Sequence, residues 1–307
     1  MAKIIFIILQ LILFLLIAPL ISGLITKIKN NLRMRQGQSI LQPYYNLAKL
    51  FSKGQIISET TSWIFRAAPF VVIVSSLAAV LLVPVFISRS SMHIMGDFLA
   101  LIFIFALGRF FLALAALDAG SSFGGMGSSR EMFISSLVEP VICLIIFAIG
   151  LQFGSTDIWA FRGMHAVSVS SIVASAALFL AVIAETSRLP VDNQETHLEL
   201  TMIHEAMVLE YSGRSLALIE MASYLKQMIW FLLLAQIIFP ITLPAAISLV
   251  QVVSWVLWYL SRIIIIVVIV ALIEVFVAKM RLFRVADFLG FAFVLGVIAV
   301  VCAILGV

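Results

Sequence analysis

The sequence has little charge and almost no cysteine. Charged residues make up 11% of its 307 residues, and hydrophobic residues make up 64%. A soluble domain carries roughly 25% charged residues, so the composition excludes a soluble globular protein and predicts an integral membrane protein. Cys143 and Cys302 lie far apart in apolar runs and form no paired motif, which argues against iron–sulfur ligation by this chain. The net charge of +4 gives no indication of nucleic-acid binding.

Long apolar runs take the place of the missing charge. A helical span needs about 20 mostly apolar residues. Pro240 and Pro244 predict a turn that divides the longest run into two spans. We therefore predict an all-α integral membrane protein, a single polytopic domain over residues 1–307 with eight transmembrane helices. The predicted spans are 4–26, 67–88, 97–118, 132–153, 166–184, two within 227–278, and 288–307.

The distribution of basic residues predicts the orientation of these spans. Loops 1, 3, 5 and 7 hold fourteen of the nineteen Lys and Arg residues, and loops 2 and 4 hold one each. The positive-inside rule places loops 1, 3, 5 and 7 in the cytoplasm. Loop 1 (about 27–66) contains Tyr44, Leu47, Ala48 and Phe51 at helical spacing, which predicts an amphipathic helix in the membrane interface. It would serve as a lipid anchor, or as a gate or docking surface.

Several ionisable residues fall within or at the ends of predicted spans. Such residues are rare at this depth and usually mark ion or proton pathways, although structural ion pairing or snorkelling is the alternative. Arginine stays protonated, so its role would be to hold carboxylates ionised. A glycine-rich link joins spans 3 and 4 and ends at the cytoplasmic mouth of span 4. The residues concerned are Arg109, Asp118, Arg130, Glu131, Glu139, Arg262 and Glu274.

Loop 5 (about 185–226) is strongly acidic. It holds seven of the fifteen carboxylates, and it faces a basic loop 1, so we expect the two loops to form a docking face for peripheral subunits. The spacing of its carboxylates and histidines suits a hydrated proton relay; a metal site and a merely solvated loop are the alternatives. The candidate relay residues are Glu185, Asp192, Glu195, His197 and Glu199.

These motifs together resemble membrane subunit 1 of respiratory complex I. They are more similar to the homologous subunit of hydrogenase-4 and formate hydrogenlyase complexes, and the resemblance runs from the first span to the last. The stretches that carry it are AETSRLPVD (184–192), EYSG (210–213), GDF (96–98), RFF (109–111), LDAGS (117–121), GSSRE (127–131) and EP (139–140).

The resemblance implies a non-catalytic subunit wedged between a peripheral redox arm and antiporter-like membrane subunits. Its partners would be hydrogenase-like large and small subunits in a bacterial or archaeal cell membrane. Nickel–iron and iron–sulfur centres, or a quinone, would belong to or with those partners, and this chain would hold no cofactor or metal. By motif match, Glu139, Asp192, Glu195 and Glu199 take the functional carboxylate positions, and Arg109, Arg130 and Arg262 take basic positions.

Two departures separate this chain from the complex I pattern. The family's first loop usually reads Arg-x-Gly-Pro, but here Gln38 replaces the proline. The acidic loop usually reads Glu-x-Glu-x-Glu, but here His197 occupies the middle position. Both weigh against quinone binding. The sequence therefore favours a subunit that couples redox chemistry to proton translocation; a quinone-site subunit of complex I, a stand-alone transporter and a passive scaffold are the rivals.

Overall fold

The fold is built from helices. The computed structural model describes residues 2–83, 97–158, 168–193, 202–239 and 249–306. In those ranges no β-strand is formed, and a single isolated bridge joins Asp97 to Asp157. This confirms the predicted all-α class. In chain order the helices are α1 (Ala2–Leu32), α2 (Gln42–Ser52), α3 (Trp63–Leu82), α4 (Phe98–Asp118), α5 (Ser122–Phe153), α6 (Val169–Glu185), α7 (His204–Val208), α8 (Gly213–Ile238), α9 (Leu249–Phe276) and α10 (Leu282–Leu305).

Seven of these helices are long and apolar enough to cross a membrane by length and composition. They are α1, α3, α4, α5, α8, α9 and α10, counted over the described ranges. Helix α6 is also apolar but has only 17 residues. A polar side chain caps several of these helices at their start: Ser62 accepts a hydrogen bond from the backbone of Ile64, and Asp97 accepts one from Leu99. Such caps satisfy backbone donors that would otherwise lack partners.

Three connections are shorter than the sequence predicts. Helix α1 continues to Leu32, α5 already begins at Ser122, and α8 begins at Gly213. The predicted loop over 185–226 therefore ends at Ser212. The added turns stay helical because their polar residues have partners inside the bundle, as Lys226 does in its ion pair with Glu185. The predicted turn at Pro240 and Pro244, and the candidate residues Glu195, His197 and Glu199, lie outside the described ranges.

Helix α8 lies at the centre of the bundle. It packs against α1, α2, α3, α6 and α9, and its Trp230 and Phe231 are fully buried. Around it, α3 packs on α4, while α10 packs on α5 and α6. The predicted helix of loop 1 is present as α2, with Leu47 buried and the Tyr44 hydroxyl donating to the backbone oxygen of Leu16. This arrangement brings the charged residues of α4, α5, α6 and α8 towards one another.

Candidate ion-pair network and its two cavities

Arg109 is the centre of the first cluster of charges. It lies midway along α4 and is buried. Its Nη1 is 3.1 Å from Glu139 Oε1, and its Nη2 contacts Glu185 Oε1. The same Glu185 oxygen is 3.0 Å from Lys226 Nζ. Four helices, α4, α5, α6 and α8, thus each contribute one charged group, and an Arg beside two carboxylates favours their ionised form.

A glycine allows α4 to approach α3 closely beside Arg109. A Cβ atom placed on Gly108 would lie 2.5 Å from Ser75 Oγ, well inside van der Waals contact. The Ser75 hydroxyl donates to the backbone oxygen of Val72, one turn earlier in α3. The Gly-Arg sequence therefore sets the position of the guanidinium as well as its charge.

Glu274 is the centre of a second cluster, formed by α1, the end of α6 and α9. The Glu274 side chain is 3% exposed. Its Oε2 is 3.0 Å from Lys29 Nζ, and its Oε1 is 3.1 Å from Arg188 Nη1. The backbone oxygen of Glu274 also accepts a hydrogen bond of 3.0 Å from Arg33. Breaking such a buried pair by removing one partner costs about 3–5 kcal/mol, because the remaining charge is left uncompensated.

Gln227 connects the two clusters. Arg188 Nη2 donates to Gln227 Oε1 at 2.9 Å, and Gln227 directly follows Lys226 of the first cluster. Gln227 Nε2 is buried and has no hydrogen-bond partner among the described residues. It lines the first cavity, where a water molecule would satisfy it.

Asp192 ties the acidic segment to the connection between α9 and α10. Its Oδ1 is 2.7 Å from Lys279 Nζ, and its Oδ2 accepts hydrogen bonds from the backbone of Ile203 and His204 at 3.3 and 3.2 Å. The backbone nitrogen of Met280 donates to the backbone oxygen of Pro190 at 2.8 Å. The acidic segment is thus held at both ends of its described part.

Two polar cavities follow this line of charges. The first contains about 630 Å³ of atom-free space, including space open to solvent, and the second contains about 340 Å³. Ser187 lines both. The charged and polar residues that line the first are Arg109, Glu131, Glu185, His204, Lys226 and Gln227. Those that line the second are Lys29, Arg188, Asp192, Asn193 and Glu274.

Three other predicted site residues lie apart from the ion pairs. Asp118 accepts hydrogen bonds from the Ser62 backbone and hydroxyl, at 2.7 and 2.9 Å, at the start of α3. Arg130 donates to the backbone oxygen of Met202 at 3.0 Å. Arg262 lies 4.6 Å from the centre of the Tyr259 ring and donates to the backbone of Phe239. Within the described ranges Arg262 forms no ion pair with a carboxylate.

The cations of the network are the part that sequence reasoning misses. Lys29, Arg188, Lys226 and Lys279 fall among the loop charges in the sequence, yet each pairs with a buried carboxylate. A signal is available, because a carboxylate near an apolar span requires a cation close by. The choice of partner still needs the three-dimensional packing, since Lys29 and Glu274 are 245 positions apart.

A family profile described as NADH dehydrogenase matches residues 4–305. The chain belongs to the NADH dehydrogenase subunit 1 family. Within it, the chain is 34% identical to hydrogenase-4 component C of Escherichia coli over 241 residues, 77% of this chain and 76% of that protein. It is 31% identical to formate hydrogenlyase subunit 4 of the same organism over 218 residues, 69% of this chain and 70% of that protein.

More distant members of the same family are also similar. A membrane subunit of the NADH-quinone oxidoreductase of Anaplasma phagocytophilum is 25% identical over 224 residues, 64% of each of the two proteins. Among solved structures, a chain of an archaeal membrane-bound sulfane sulfur reductase, a respiratory membrane complex, superposes with a TM-score of 0.83. That match covers 99% of this chain and 100% of the other at 17% identity, which shows a shared fold. The resemblance that the sequence motifs indicated is thereby confirmed.

Proposed function

We propose that this chain is the membrane-anchoring and coupling subunit of a membrane-bound hydrogenase or formate hydrogenlyase-type complex. It links redox chemistry in a peripheral arm to proton translocation. The two relatives above 30% identity are named as components of such complexes, which supports this branch. The chain itself carries out no redox step. Nickel–iron and iron–sulfur centres, or a quinone, belong to or with its partners.

The network of buried charges is the observation that carries this proposal. It runs from Glu139 through Arg109 and Glu185 to Lys226, and then through Gln227 and Arg188 to Glu274. Charges inside a membrane bundle are expensive and characteristically line ion or proton pathways. Two cavities along the line give water access to the groups that exchange protons. A change of charge at one end is then felt at the next pair.

The same proposal includes eight spans and a cytoplasmic docking face. Helix α6 is the eighth span, completed by residues before Val169. Loops 1, 3, 5 and 7 are cytoplasmic by the positive-inside rule, in a bacterial or archaeal cell membrane. Helix α2 lies in the interface beside the acidic segment. Hydrogenase-like subunits dock on this face, and antiporter-like subunits pack against the outer surface of the bundle.

The test is purification of the full chain, tagged at one terminus, from its native membranes in mild detergent. We expect a nickel–iron large subunit in stoichiometric amount, identified by mass spectrometry, and nickel by elemental analysis. A quinone-reducing complex without nickel would instead support the complex I rival. A chain that purifies alone and transports ions in liposomes would refute the proposal in favour of a transporter.

A further inference from the structure

A cleft and a groove adjoin on the outer surface of α3. The cleft contains about 450 Å³ of atom-free space and is lined by Arg66, Phe70 and the loop around Ile56. The groove contains about 630 Å³ and is lined almost wholly by apolar side chains of α3 and α4, among them Val74 and Leu107. Phe70 lines both. A polar mouth thus opens directly into an apolar channel along the surface of the bundle.

The stripe of α3 that lines these two spaces has the dimensions of one lipid leaflet. Arg66, Phe70, Val74 and Ala78 are four residues apart, so they lie on one face of the helix. Twelve residues at about 1.5 Å each separate Arg66 from Ala78 by about 18 Å. Half of the hydrocarbon core of a bilayer measures about 15 Å. An acyl chain that begins near Arg66 therefore ends near Ala78.

The wall of the cleft is a built structure rather than a chance gap. Ser212 Oγ accepts a hydrogen bond of 2.9 Å from the backbone of Ile56 and donates to its backbone oxygen at 3.2 Å. Gly213 has a positive φ, and a Cβ there would lie 2.3 Å from the backbone oxygen of Gly54. The Tyr211 ring stacks on Phe65 at 4.1 Å between ring centres. Burial, and the nearby Asp118, raise the pKa of Tyr211, so this wall adds no negative charge.

Arg66 is the one cation that lines the cleft. Its side chain is exposed, and within the described ranges it makes no ion pair. We propose that this face binds an anionic phospholipid, with the headgroup phosphate at Arg66 and one acyl chain in the groove between α3 and α4. Charge complementarity at the mouth and the length of the groove favour this occupant over another protein helix, which would leave the arginine unpaired.

Photo-crosslinking tests the site on the full chain in its purified complex. The probes are phosphatidylglycerol and phosphatidylcholine that carry the same diazirine-labelled acyl chain. We expect phosphatidylglycerol to label peptides of α3 and α4 in preference to phosphatidylcholine. Arg66→Gln should lower that labelling about fivefold, the contribution of one basic residue near an anionic lipid surface. Arg284→Gln, at an exposed arginine of α10, is the matched control and should leave it unchanged.

A second variant tests the groove separately from the charge. Val74→Trp should fill the groove and suppress labelling at Ile104 and Leu107, while Val294→Trp on the exposed face of α10 should not. Equal labelling by the two lipids in the unmodified complex would overturn the proposal, because bulk lipid alone would then cover this face. So would phosphatidylglycerol labelling that is unaffected by Arg66→Gln.

Discussion

Lys29 and Glu274 form an ion pair of 3.0 Å although 245 residues separate them in the sequence. The pair joins the first long helix to the ninth, and Arg188 completes it from the end of α6. Three distant parts of the chain therefore depend on one buried carboxylate. This makes Glu274 a residue whose loss should affect both the stability of the bundle and the pathway through it.

Glu274→Gln should destabilise the protein by about 3 kcal/mol, because Lys29 and Arg188 would remain buried without their counter-charge. The measurement is thermal unfolding of the purified chain in detergent. Asp287→Asn, an exposed carboxylate on α10, serves as the control and should change the stability by less than about 0.5 kcal/mol. Equal effects of the two substitutions would show that the buried pair contributes no specific stability.

Glu139→Gln should leave folding and assembly intact but lower the number of protons translocated per turnover. The Glu139 side chain is 41% exposed, and Arg109 keeps its contact with Glu185 when Glu139 is neutralised. The assay is acidification of proteoliposomes that contain the complete complex, normalised to its redox rate. Glu59→Gln, in the exposed first loop, is the control. Unchanged proton translocation in Glu139→Gln would eliminate this residue from the relay.

Glu185→Gln should behave differently from Glu139→Gln. Glu185 is buried and pairs with both Arg109 and Lys226, so its neutralisation leaves a partly exposed lysine with no carboxylate and the arginine with Glu139 alone. We expect a loss of stability of about 3 kcal/mol in addition to the loss of proton translocation. Paired unfolding and proteoliposome measurements on the two variants separate a structural from a coupling role. Identical unfolding temperatures for both would contradict the assigned geometry.

The sequence predicts the helical class well because apolar run length is a local property. Each candidate span coincides with such a run, and α2 appears where Tyr44 and Leu47 share a helical spacing. Helix ends are less accurate where polar residues such as Lys226 continue a helix into the bundle. Their partners are remote in sequence, so no local pattern distinguishes them from loop residues.

The sequence predicts the site through its carboxylates rather than its cations. Charge within an apolar span marks Arg109, Glu139 and Glu274 directly, since such charge is costly. The pairing of Arg109 with Glu185, and of Asp192 with Lys279, depends on how α4, α6 and the connection before α10 are packed. That information is absent from spacing along a single helix.

Gly108→Ala should destabilise the packing of α3 on α4 by about 1–3 kcal/mol, the usual range for overpacking a core. The added Cβ would lie 2.5 Å from Ser75 Oγ. Ser75→Ala removes that oxygen, so the double variant should recover most of the lost stability, a coupling that a double-mutant cycle measures. Gly290→Ala is the matched control, because a Cβ there meets nothing within 4 Å and alanine favours helix by up to about 1 kcal/mol. If Ser75→Ala fails to rescue Gly108→Ala, the close approach of the two helices does not explain the glycine beside Arg109.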